Sequence, residues 1–397
     1  MAFRPANPIS PEETMPLHGS CDKRRRQFLV SVVLTLLFLL APLFLLPVAC
    51  TRISPVAPLP LSAGAIPATD FNQLFTRSGN GWTGGDGTLS IGLPDGRTLW
   101  LFGDTFLGYV RPDGSRPLDS PLIRNCLVVQ DGERLVTRHE GTTHDPRAFL
   151  VPEDPDTWYW PGDGTVWENR VWIFFHRFRQ VTPGMWGWAW DGTVMAVLQL
   201  PDLSLDRVIA MPHDHGVAYG AALYEADAWV YIFGTEQRGA VKHLHLARAP
   251  RGGLEGSWHY WAGQHWSDNP GASRSILAGV SSQFGVVGLE QGLGLVTMDE
   301  RQPFSDRIVV YRAETPTGPW QGPVDIYRAP EADSAVAAYN PFVHPQFSRH
   351  GNGHLISYNI NHVHDPDTLY DDAALYRPRF IWVDLDRLAV RPAGQER

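Results

Sequence analysis

Residues 83–105, TGGDGTLSIGLPDGRTLWLFGDT, decide the fold that the sequence predicts. Two stretches rich in strand-forming residues, 88–93 and 98–102, flank a Pro-Asp-Gly turn, which is the pattern of an antiparallel β-hairpin. Asp86 directly precedes the first strand and Asp104 follows the second. In a hairpin the start of one strand lies beside the end of the other, so the two carboxylates are predicted to meet. Such a pair can carry acid–base chemistry, or can consist of turn aspartates that bind the local backbone.

The hairpin pattern recurs four more times along the chain. Similar segments begin near residues 163, 216, 281 and 340, and weaker hairpins lie between them. Sustained helical periodicity with capping signals is not found in this region. Five units of about four strands each predict an all-β fold, a five-bladed β-propeller over residues 69–397. A β-sandwich or a two-domain all-β arrangement is the alternative.

The composition fits a globular protein built from short strands and turns. The 397 residues are 43% hydrophobic and include 38 glycines and 33 prolines. The formal net charge of −9 argues against a nucleic-acid-binding surface, which needs a basic face. Only Cys126 lies within the predicted propeller, so no disulfide framework is expected there.

The N-terminal residues 1–50 predict an export signal or a membrane anchor helix. A basic stretch, 23–26, precedes an apolar run over residues 28–49 that is long enough to span a bilayer. Arg25 and Arg26, followed by Gln-Phe-Leu, resemble a twin-arginine export signal, and an ordinary secretory route is the alternative.

The segment after the apolar run predicts how the domain is attached. Cys50 follows Pro-Val-Ala, which resembles a lipoprotein cleavage site, so lipidation at Cys50 and an uncleaved anchor are both open. Residues 51–68 are rich in proline and small residues and read as an extended tether. We therefore expect an exported domain, held at the outer face of the cytoplasmic membrane or in the cell envelope.

Propeller geometry predicts where the polar residues of the five hairpins gather. The first strand of each blade lines the central channel, so first-strand starts and second-strand ends meet at one mouth. The residues predicted to share this mouth are Asp86, Asp104, Asp163, His176, Tyr219, Glu236, Gln283, Asp299, Asn340 and Asn361. Turn capping explains one or two of them, but it explains a ring with several acids poorly. Clustered carboxylates repel, which pushes their pKa values apart and suits one proton donor and one ionised group.

Aromatic residues and histidines add further candidates. Trp158 and Trp160 adjoin Asp163 and are candidate platforms for sugar rings, with packing between blades as the alternative. Histidines at positions 243, 245, 362 and 364 are paired on strand faces, but no third ligand is evident. No cofactor and no metal site is therefore predicted, although a calcium ion bound by channel aspartates stays possible.

Three motifs together resemble a known family. Residues 83–87 (TGGDG), 101–105 (LFGDT) and 161–164 (PGDG) resemble a bacterial family of exported five-bladed propeller domains of unknown function. That family is similar to propeller glycoside hydrolases, including the mycobacterial-type endo-D-arabinanases. The resemblance covers roughly residues 71–392, and its sharp motifs are confined to the first two blades. In the related hydrolases, acids of the early blades carry catalysis.

Carried over by motif, the resemblance implicates Asp86 and Asp104 in catalysis, with Asp163 as a third acid. It implies an exported, membrane-tethered glycoside hydrolase that acts on a polysaccharide, with a cell-envelope arabinan as the candidate. Asp104 would be the nucleophile or base and Asp86 the proton donor, or the reverse. The predicted substrate-binding residues are Glu236, His176, Tyr219, Gln283, Asp299, Asn340, Trp158 and Trp160. A non-catalytic carbohydrate-binding propeller lipoprotein and a scaffold for protein partners are the competing classes.

Overall fold

The computed structural model describes residues 64–79, 81–184, 187–211, 215–302, 304–349 and 353–388. The described residues all lie within one compact unit of the chain. The predicted export signal, Cys50 and most of the tether lie outside the described residues. Within the described ranges, no helix is long and apolar enough to cross a membrane.

The described residues form 27 strands, two short α-helices and the 3₁₀ turns Pro270–Ala272 and Ala373–Tyr376. The first part contains β1 (Ile66–Pro67), α1 (Thr69–Leu74), β2 (Gly81–Gly85), β3 (Leu89–Gly92), β4 (Thr98–Phe102), β5 (Thr105–Gly108), β6 (Leu122–Ile123), β7 (Cys126–Asp131), β8 (Arg134–Arg138), β9 (Glu140–Gly141) and β10 (Pro146–Arg147). The middle part contains β11 (Thr157–Trp167), β12 (Arg170–Gln180), β13 (Trp188–Gln199), β14 (Ser204–Ala210), β15 (Ala218–Ala226), β16 (Trp229–Arg238), β17 (Val241–Pro250), β18 (His259–Trp261), β19 (Trp266–Ser267) and β20 (Leu277–Ala278). The last part contains β21 (Gly285–Gly288), β22 (Leu293–Met298), β23 (Arg307–Ala313), β24 (Gln321–Arg328), β25 (Val336–Arg349), β26 (Gly353–His362), α2 (Thr368–Asp371) and β27 (Arg379–Val383). The prediction of an all-β fold is confirmed.

Five of the antiparallel sheets follow the chain as meanders, and we number them 1 to 5 in chain order. Their strand orders are β3-β4-β7-β8, β11-β12-β13-β14, β15-β16-β17-β18-β19, β21-β22-β23-β24 and β25-β26-β27-β1. Sheet 5 takes its outer strand from the start of the domain, because Ile66 pairs with Trp382 and Pro67 with Ile381. The N-terminal strand therefore closes the last sheet.

The first strands of the five sheets contact one another in the closed order β3, β11, β15, β21, β25 and back to β3. Successive residues of a strand point to opposite faces of the sheet, and β4, which is apolar after Thr98, is buried on both faces. Trp100 packs edge-on against Phe380 of sheet 5, whereas Leu99 and Leu101 belong to the apolar cluster shared with sheet 2. Separate apolar clusters likewise fill the contacts between the other neighbouring sheets.

A small sheet of β2, β5 and β6 extends the hairpin that the sequence predicts. In sheet 1, Leu89 pairs with Leu101, and in the small sheet Gly85 pairs with Thr105. The motif TGGDG is therefore partly a strand of its own and not only the approach to β3. Residues 86 and 104 lie at the junction between the two strand pairs.

Candidate active site

The junction between the two strand pairs places Asp86 and Asp104 side by side. The backbone N–H of Asp86 donates to the carbonyl oxygen of Asp104 at 3.2 Å, and the N–H of Gly103 donates to the carbonyl oxygen of Asp86 at 2.8 Å. Both side chains are half-buried, and that of Asp104 retains 17% of its exposure. The two carboxyl groups thus lie next to each other and remain partly exposed to solvent, and we call their surroundings the recess.

Asp86 is held by two tyrosines. The hydroxyls of Tyr339 on β25 and of Tyr376, which ends a 3₁₀ turn after α2, both donate to Asp86 Oδ2 at 3.0 Å. Burial, and then the neighbouring charge of Asp104, raise the pKa of Asp86 to about 7, although the two tyrosine hydrogen bonds oppose the shift. Asp86 therefore exchanges its proton close to neutral pH.

Asp104 has a different environment. Its Oδ1 accepts a hydrogen bond from the Trp160 indole N–H at 2.8 Å, and its Oδ2 accepts one from Arg124 Nη1 at 2.9 Å. Burial is the largest effect and raises the pKa of Asp104 above its ordinary value, although the charge of Arg124 and these two hydrogen bonds oppose the shift. Asp104 has a cationic partner and Asp86 does not, so Asp104 is the carboxylate that is better stabilised in its ionised form.

Asp86 Oδ1 requires a glycine at position 103. A Cβ added to Gly103 would lie 2.6 Å from Asp86 Oδ1 and 3.4 Å from the Trp160 ring. The carboxylate therefore occupies the space that any other side chain would take, which gives a physical reason for glycine in the motif LFGDT.

We expect Gly103→Ala to destabilise the protein by about 1–3 kcal/mol, the usual range for overpacking of a filled site. Thermal and urea unfolding measure this difference. Gly79→Ala is the matched control, because its added Cβ would meet only Tyr109 Cβ at 4.0 Å, an ordinary contact distance. Equal stability of the two variants would contradict the packing described at Asp86.

Asp163 is placed differently from the pair. Its side chain is buried, Oδ1 accepts from the N–H of Gly164 and Oδ2 from the N–H of Leu223, both at 2.7 Å. The carboxylate thus bridges a bulge of β11 to strand β15, and it lines a central cavity of about 350 Å³ together with Thr165 and Glu225. The structure brings no direct contact between Asp163 and the Asp86–Asp104 pair.

The protonation of Asp163 is expected to make the stability of the fold depend on pH. Burial raises the pKa of Asp163 to about 7. Between about pH 4 and pH 7 the unfolded chain has therefore lost this proton while the folded chain keeps it, so stability falls as the pH rises through that window. We expect Asp163→Asn to remove this part of the slope in urea unfolding at pH 4, 5, 6 and 7.

The matched control for the pH series is Asp113→Asn. Hydrogen bonds from Ser115 lower the pKa of Asp113, so its contribution lies below this window and should leave the slope between pH 4 and 7 unchanged. An unchanged slope in Asp163→Asn would show that Asp163 does not hold its proton in the folded protein.

Two of the predicted acids are engaged in ion pairs. Glu236 Oε2 accepts from Arg238 Nε at 2.8 Å and lies 2.9 Å from His245 Nε2, and the Arg238 bond is the main reason that the pKa of Glu236 is lowered. Asp299 is buried between Arg301 and Arg307, at 2.6 and 3.1 Å. Hydrogen bonding to Arg301 lowers the pKa of Asp299. Neither carboxylate contacts the Asp86–Asp104 pair.

Two further candidates lie in sheets 2 and 3. His176 Nδ1 is 3.1 Å from Thr193 Oγ1, and burial lowers the pKa of His176 to about 4, so the ring is neutral at pH 7. Tyr219 is buried, and its hydroxyl lies 2.9 Å from Ser273 Oγ. Tyr219 also packs against Trp258, so its ring belongs to the core between the sheets.

Of the remaining candidates, Gln283 and Asn340 lie next to residues that belong to the site or contact it. Gln283 Nε2 donates to the carbonyl oxygen of Gly87, the residue after Asp86. Asn340 follows Tyr339 and has φ +51°, a left-handed conformation that asparagine tolerates better than most residues. Asn361 is on β26, and its Oδ1 is buried without a hydrogen-bond partner among the described residues.

An aromatic wall, which we define as Trp158, Trp160, Phe178 and Trp188, stands beside Asp104. The ring centroid of Trp160 lies 4.6 Å from that of Phe178, 5.1 Å from that of Trp188 and 5.6 Å from that of Trp158. The Arg124 guanidinium lies 4.5 Å from the centroid of the Trp158 ring. The wall therefore packs together and also holds Asp104, through the Trp160 N–H.

Sequence reasoning missed three partners of the pair: Tyr339, Tyr376 and Arg124. Tyr339 precedes a residue that the sequence did single out, Asn340. Tyr376 and Arg124 lie in connecting segments without a repeat or motif, and their contacts with the pair span 290 and 20 residues of chain. Over the residues that the structure describes, no group of three or more histidine, cysteine or acidic side chains could hold a metal ion.

Residues 68–385 match the model of a family described as Domain of unknown function (DUF5005). The chain belongs to this DUF5005 family. No curated protein matches the DUF5005 chain. The family match shows what the chain is related to, and the description of the family names no activity.

Solved structures similar to this DUF5005 chain include one from Bacteroides ovatus that is described as a "putative hydrolase". It is 24% identical, covers 80% of this chain and 90% of its own, and has a TM-score of 0.70, so the fold is shared. More distant are an exo-β-1,3-galactanase from Phanerochaete chrysosporium (11% identity, 77% and 63% coverage, TM-score 0.44) and an α-L-arabinofuranosidase from Podospora anserina (10% identity, 78% and 93% coverage, TM-score 0.45).

Proposed function

We propose that this chain is a glycoside hydrolase that acts on a polysaccharide, and that Asp86 and Asp104 are its catalytic carboxylates. We also propose that sheets 1 to 5 are the blades of a five-bladed β-propeller. The closed order of contacts between the five first strands supports the blade count. The recess with the two carboxylates then lies at the end of the blades where β3 begins and β4 ends.

The observation that carries the catalytic proposal is the unequal environment of two adjacent carboxyl groups. Hydrolysis of a glycosidic bond needs one carboxyl group that gives a proton and one carboxylate that attacks or activates water. Asp86 has a pKa of about 7 and no cationic partner in hydrogen-bond contact, which suits the proton donor. Asp104 is bound by the Arg124 guanidinium and the Trp160 N–H, which suits the ionised partner.

In the proposed reaction, the Asp86 carboxyl group donates its proton to the leaving oxygen as the bond from that oxygen to the sugar C1 breaks. An Asp104 carboxylate oxygen attacks C1, and a glycosyl ester forms. Asp86, now ionised, takes a proton from water, and the resulting hydroxide displaces Asp104 from C1. Each carboxyl group ends in the state in which it began, and one water has been consumed.

The position of Asp86 and Asp104 side by side, at the junctions between neighbouring strands, favours this two-step route. Neighbouring strands lie about 4.8 Å apart, and retaining glycosidases hold their two carboxyl groups about 5–5.5 Å apart, against roughly 6.5–9.5 Å in inverting enzymes. We therefore propose that the anomeric configuration is retained.

The neighbours of the pair are proposed to bind the sugar. The aromatic wall offers apolar surface beside Asp104, and sugar rings stack on such surfaces. Gln283 lies next to Gly87, and Asn340 follows Tyr339 on β25. His176 is neutral and can donate or accept one hydrogen bond. Glu236, Asp299 and Tyr219 have protein partners already, so we assign them no contact with substrate.

Substrate identity and location extend the proposal. A cell-envelope arabinan is our candidate polysaccharide, because the sequence motifs resemble a family that is similar to propeller hydrolases such as endo-D-arabinanases. Residues 1–50 would direct export, and Cys50 or the apolar run before it would keep the domain at the envelope. Loss of envelope association in both Cys50→Ser and Cys50→Ala would support lipidation at Cys50.

The proposal is tested by release of reducing ends from a panel of arabinan, galactan, xylan and β-glucan by the full chain. We expect new reducing ends from at least one polysaccharide, with arabinan as the first candidate. Binding to a polysaccharide without any product, under conditions in which the chain is folded, would instead support a carbohydrate-binding propeller without catalysis.

A further inference from the structure

The segment between β26 and β27 supplies one of the two tyrosines on Asp86. It contains α2 and the 3₁₀ turn Ala373–Tyr376, and it crosses over the small sheet of β2, β5 and β6. Tyr339, the other tyrosine, lies on the first strand of sheet 5 and is fixed by that sheet. Only Tyr376 depends on a connecting segment for its position, so what holds this segment also sets one hydrogen bond to Asp86.

Arg116 is one of the residues that hold the segment, together with Arg377, whose Nε donates to the carbonyl oxygen of Thr83 at 3.0 Å. The Arg116 side chain is fully buried, with 1% exposure. Nη1 donates to the carbonyl oxygen of Leu369 at 2.6 Å, and Nη2 donates to those of Ala373 at 3.3 Å and Thr83 at 3.2 Å. The backbone N–H of Arg116 also donates to the carbonyl oxygen of Tyr370 at 2.6 Å. Arg116 thus ties α2 and the start of the 3₁₀ turn to Thr83 on β2, three positions before Asp86.

Glycine at position 84 makes this contact possible. A Cβ at Gly84 would collide with Arg116 Nη2 and with the carbonyl oxygen of Tyr376. The glycine of the motif TGGDG therefore leaves room for the guanidinium and for the backbone of Tyr376 at once. Residues of the motif TGGDG therefore form part of β2 and also part of the surface against which the segment packs.

The charged guanidinium group of Arg116 binds backbone carbonyl oxygens. Among the described residues no carboxylate lies within ion-pair distance of Arg116, and its Nε has no hydrogen-bond partner. Its guanidinium lies 4.5 Å from the centroid of the Phe106 ring. Burial lowers the pKa of Arg116 to about 10, so it stays protonated at neutral pH. A planar fork with five donors can serve three carbonyls, which a lysine ammonium cannot do in the same geometry.

We propose that Arg116 is a positioning residue that holds the Tyr376 hydroxyl on Asp86. This inference deepens the proposed function, because it rests on Asp86 as the proton donor. The hydrogen bond from Tyr376 favours the ionised form of Asp86, so a displaced Tyr376 leaves Asp86 with a higher proton affinity. The other groups that face Asp86 are Asp104 and Tyr339, with Arg124 beyond Asp104, and none of them contacts Arg116.

The test measures the proton affinity of Asp86 directly, in the full chain labelled with ¹³C at aspartate carboxyl carbons. The Asp86 resonance is assigned as the one that Asp86→Asn removes. We expect Tyr376→Phe to raise the pKa of Asp86 by about one unit, a tenfold change in proton affinity. Arg116→Lys keeps the positive charge but lacks the planar guanidinium group, so it should raise the pKa of Asp86 by a similar amount.

The double variant Arg116→Lys/Tyr376→Phe distinguishes a route through Tyr376 from a separate effect. The effects of two substitutions that act through the same contact are not additive. The double variant should therefore raise the pKa of Asp86 no further than Tyr376→Phe alone. Arg312→Lys is the matched control, because Arg312 Nη1 also donates to a backbone carbonyl, that of Leu388 at 2.7 Å, but from sheet 4. It should leave Asp86 unchanged.

The inference is overturned if Arg116→Lys lowers the thermal stability but leaves the Asp86 titration as in the wild type. Additive shifts in the double variant would overturn it too. If Arg116→Lys does not fold, Gly84→Ala tests the same contact from the other side and should also raise the pKa of Asp86. The titration needs no substrate. If the chain hydrolyses no polysaccharide, the proposed function is contradicted, but the titration still decides whether Arg116 positions Tyr376.

Discussion

Asp104→Asn is expected to lower kcat by roughly 10⁴-fold on any polysaccharide that the wild type hydrolyses, the upper end for a group that acts directly on the reacting atoms. Asparagine keeps the size of the side chain and can still accept from the Trp160 N–H, but it cannot attack C1 as a carboxylate. The loss of charge also leaves Arg124 without its ion-pair partner. Initial rates of reducing-end release measure the effect.

The control for Asp104→Asn is Asp325→Asn. Asp325 is also a partly buried aspartate bound by an arginine, Arg307, but it lies on β24, the outer strand of sheet 4. Its replacement removes an ion pair without touching the recess, so kcat should stay within about twofold. Full activity of Asp104→Asn would show that the pair is structural.

Asp86→Asn is expected to have an effect that depends on the leaving group. On a polysaccharide, whose leaving oxygen needs a proton, kcat/KM should fall by about 10²–10⁴-fold. On an aryl glycoside of the same sugar with a dinitrophenolate leaving group, protonation contributes little, so kcat/KM should stay close to the wild-type value. Parallel kinetics on the two substrates measure the difference.

Asp104→Asn is the matched control for this comparison, because a nucleophile is needed whatever the leaving group. It should lose activity on both substrates. If Asp86→Asn lost activity equally on both and Asp104→Asn only on the polysaccharide, the two roles would be exchanged.

The sequence predicted the hairpin and the meeting of its two aspartates because both depend on local structure. The β-forming stretches and the Pro-Asp-Gly turn set the register, and the register sets which residues lie opposite each other. Leu89 pairs with Leu101 in the structure, which continues into the side-by-side arrangement of residues 86 and 104. The all-β fold was readable for the same reason, since its repeats are hairpins.

The partners of the two aspartates could not be read in the same way. Tyr339 and Tyr376 reach Asp86 from 253 and 290 positions away. Such contacts are fixed by how sheet 5 closes against sheet 1, and in particular by the segment that Arg116 holds. Neither tyrosine lies in a repeated motif, so only the assembled sheets reveal that they share Asp86.

The sequence did hold a signal that separates Asp86 and Asp104 from two other acids of the predicted ring. Glu236 is followed two positions later by Arg238, and Asp299 by Arg301, and in both cases the structure shows an ion pair. Residues two apart on a strand point to the same face, as Glu236 and Arg238 do on β16, so an arginine two positions after an acid can pair with it. Asp86 and Asp104 are followed two positions later by threonine and phenylalanine.

The most direct test of the central claim is the intact mass of Asp86→Asn during turnover of a dinitrophenyl glycoside. Without a base to activate water, the second step should slow more than the first, so a glycosyl enzyme should accumulate. We expect a mass increase of one glycosyl unit, which peptide mapping places on Asp104. Product formation without any adduct, or an adduct on another residue, would contradict the account.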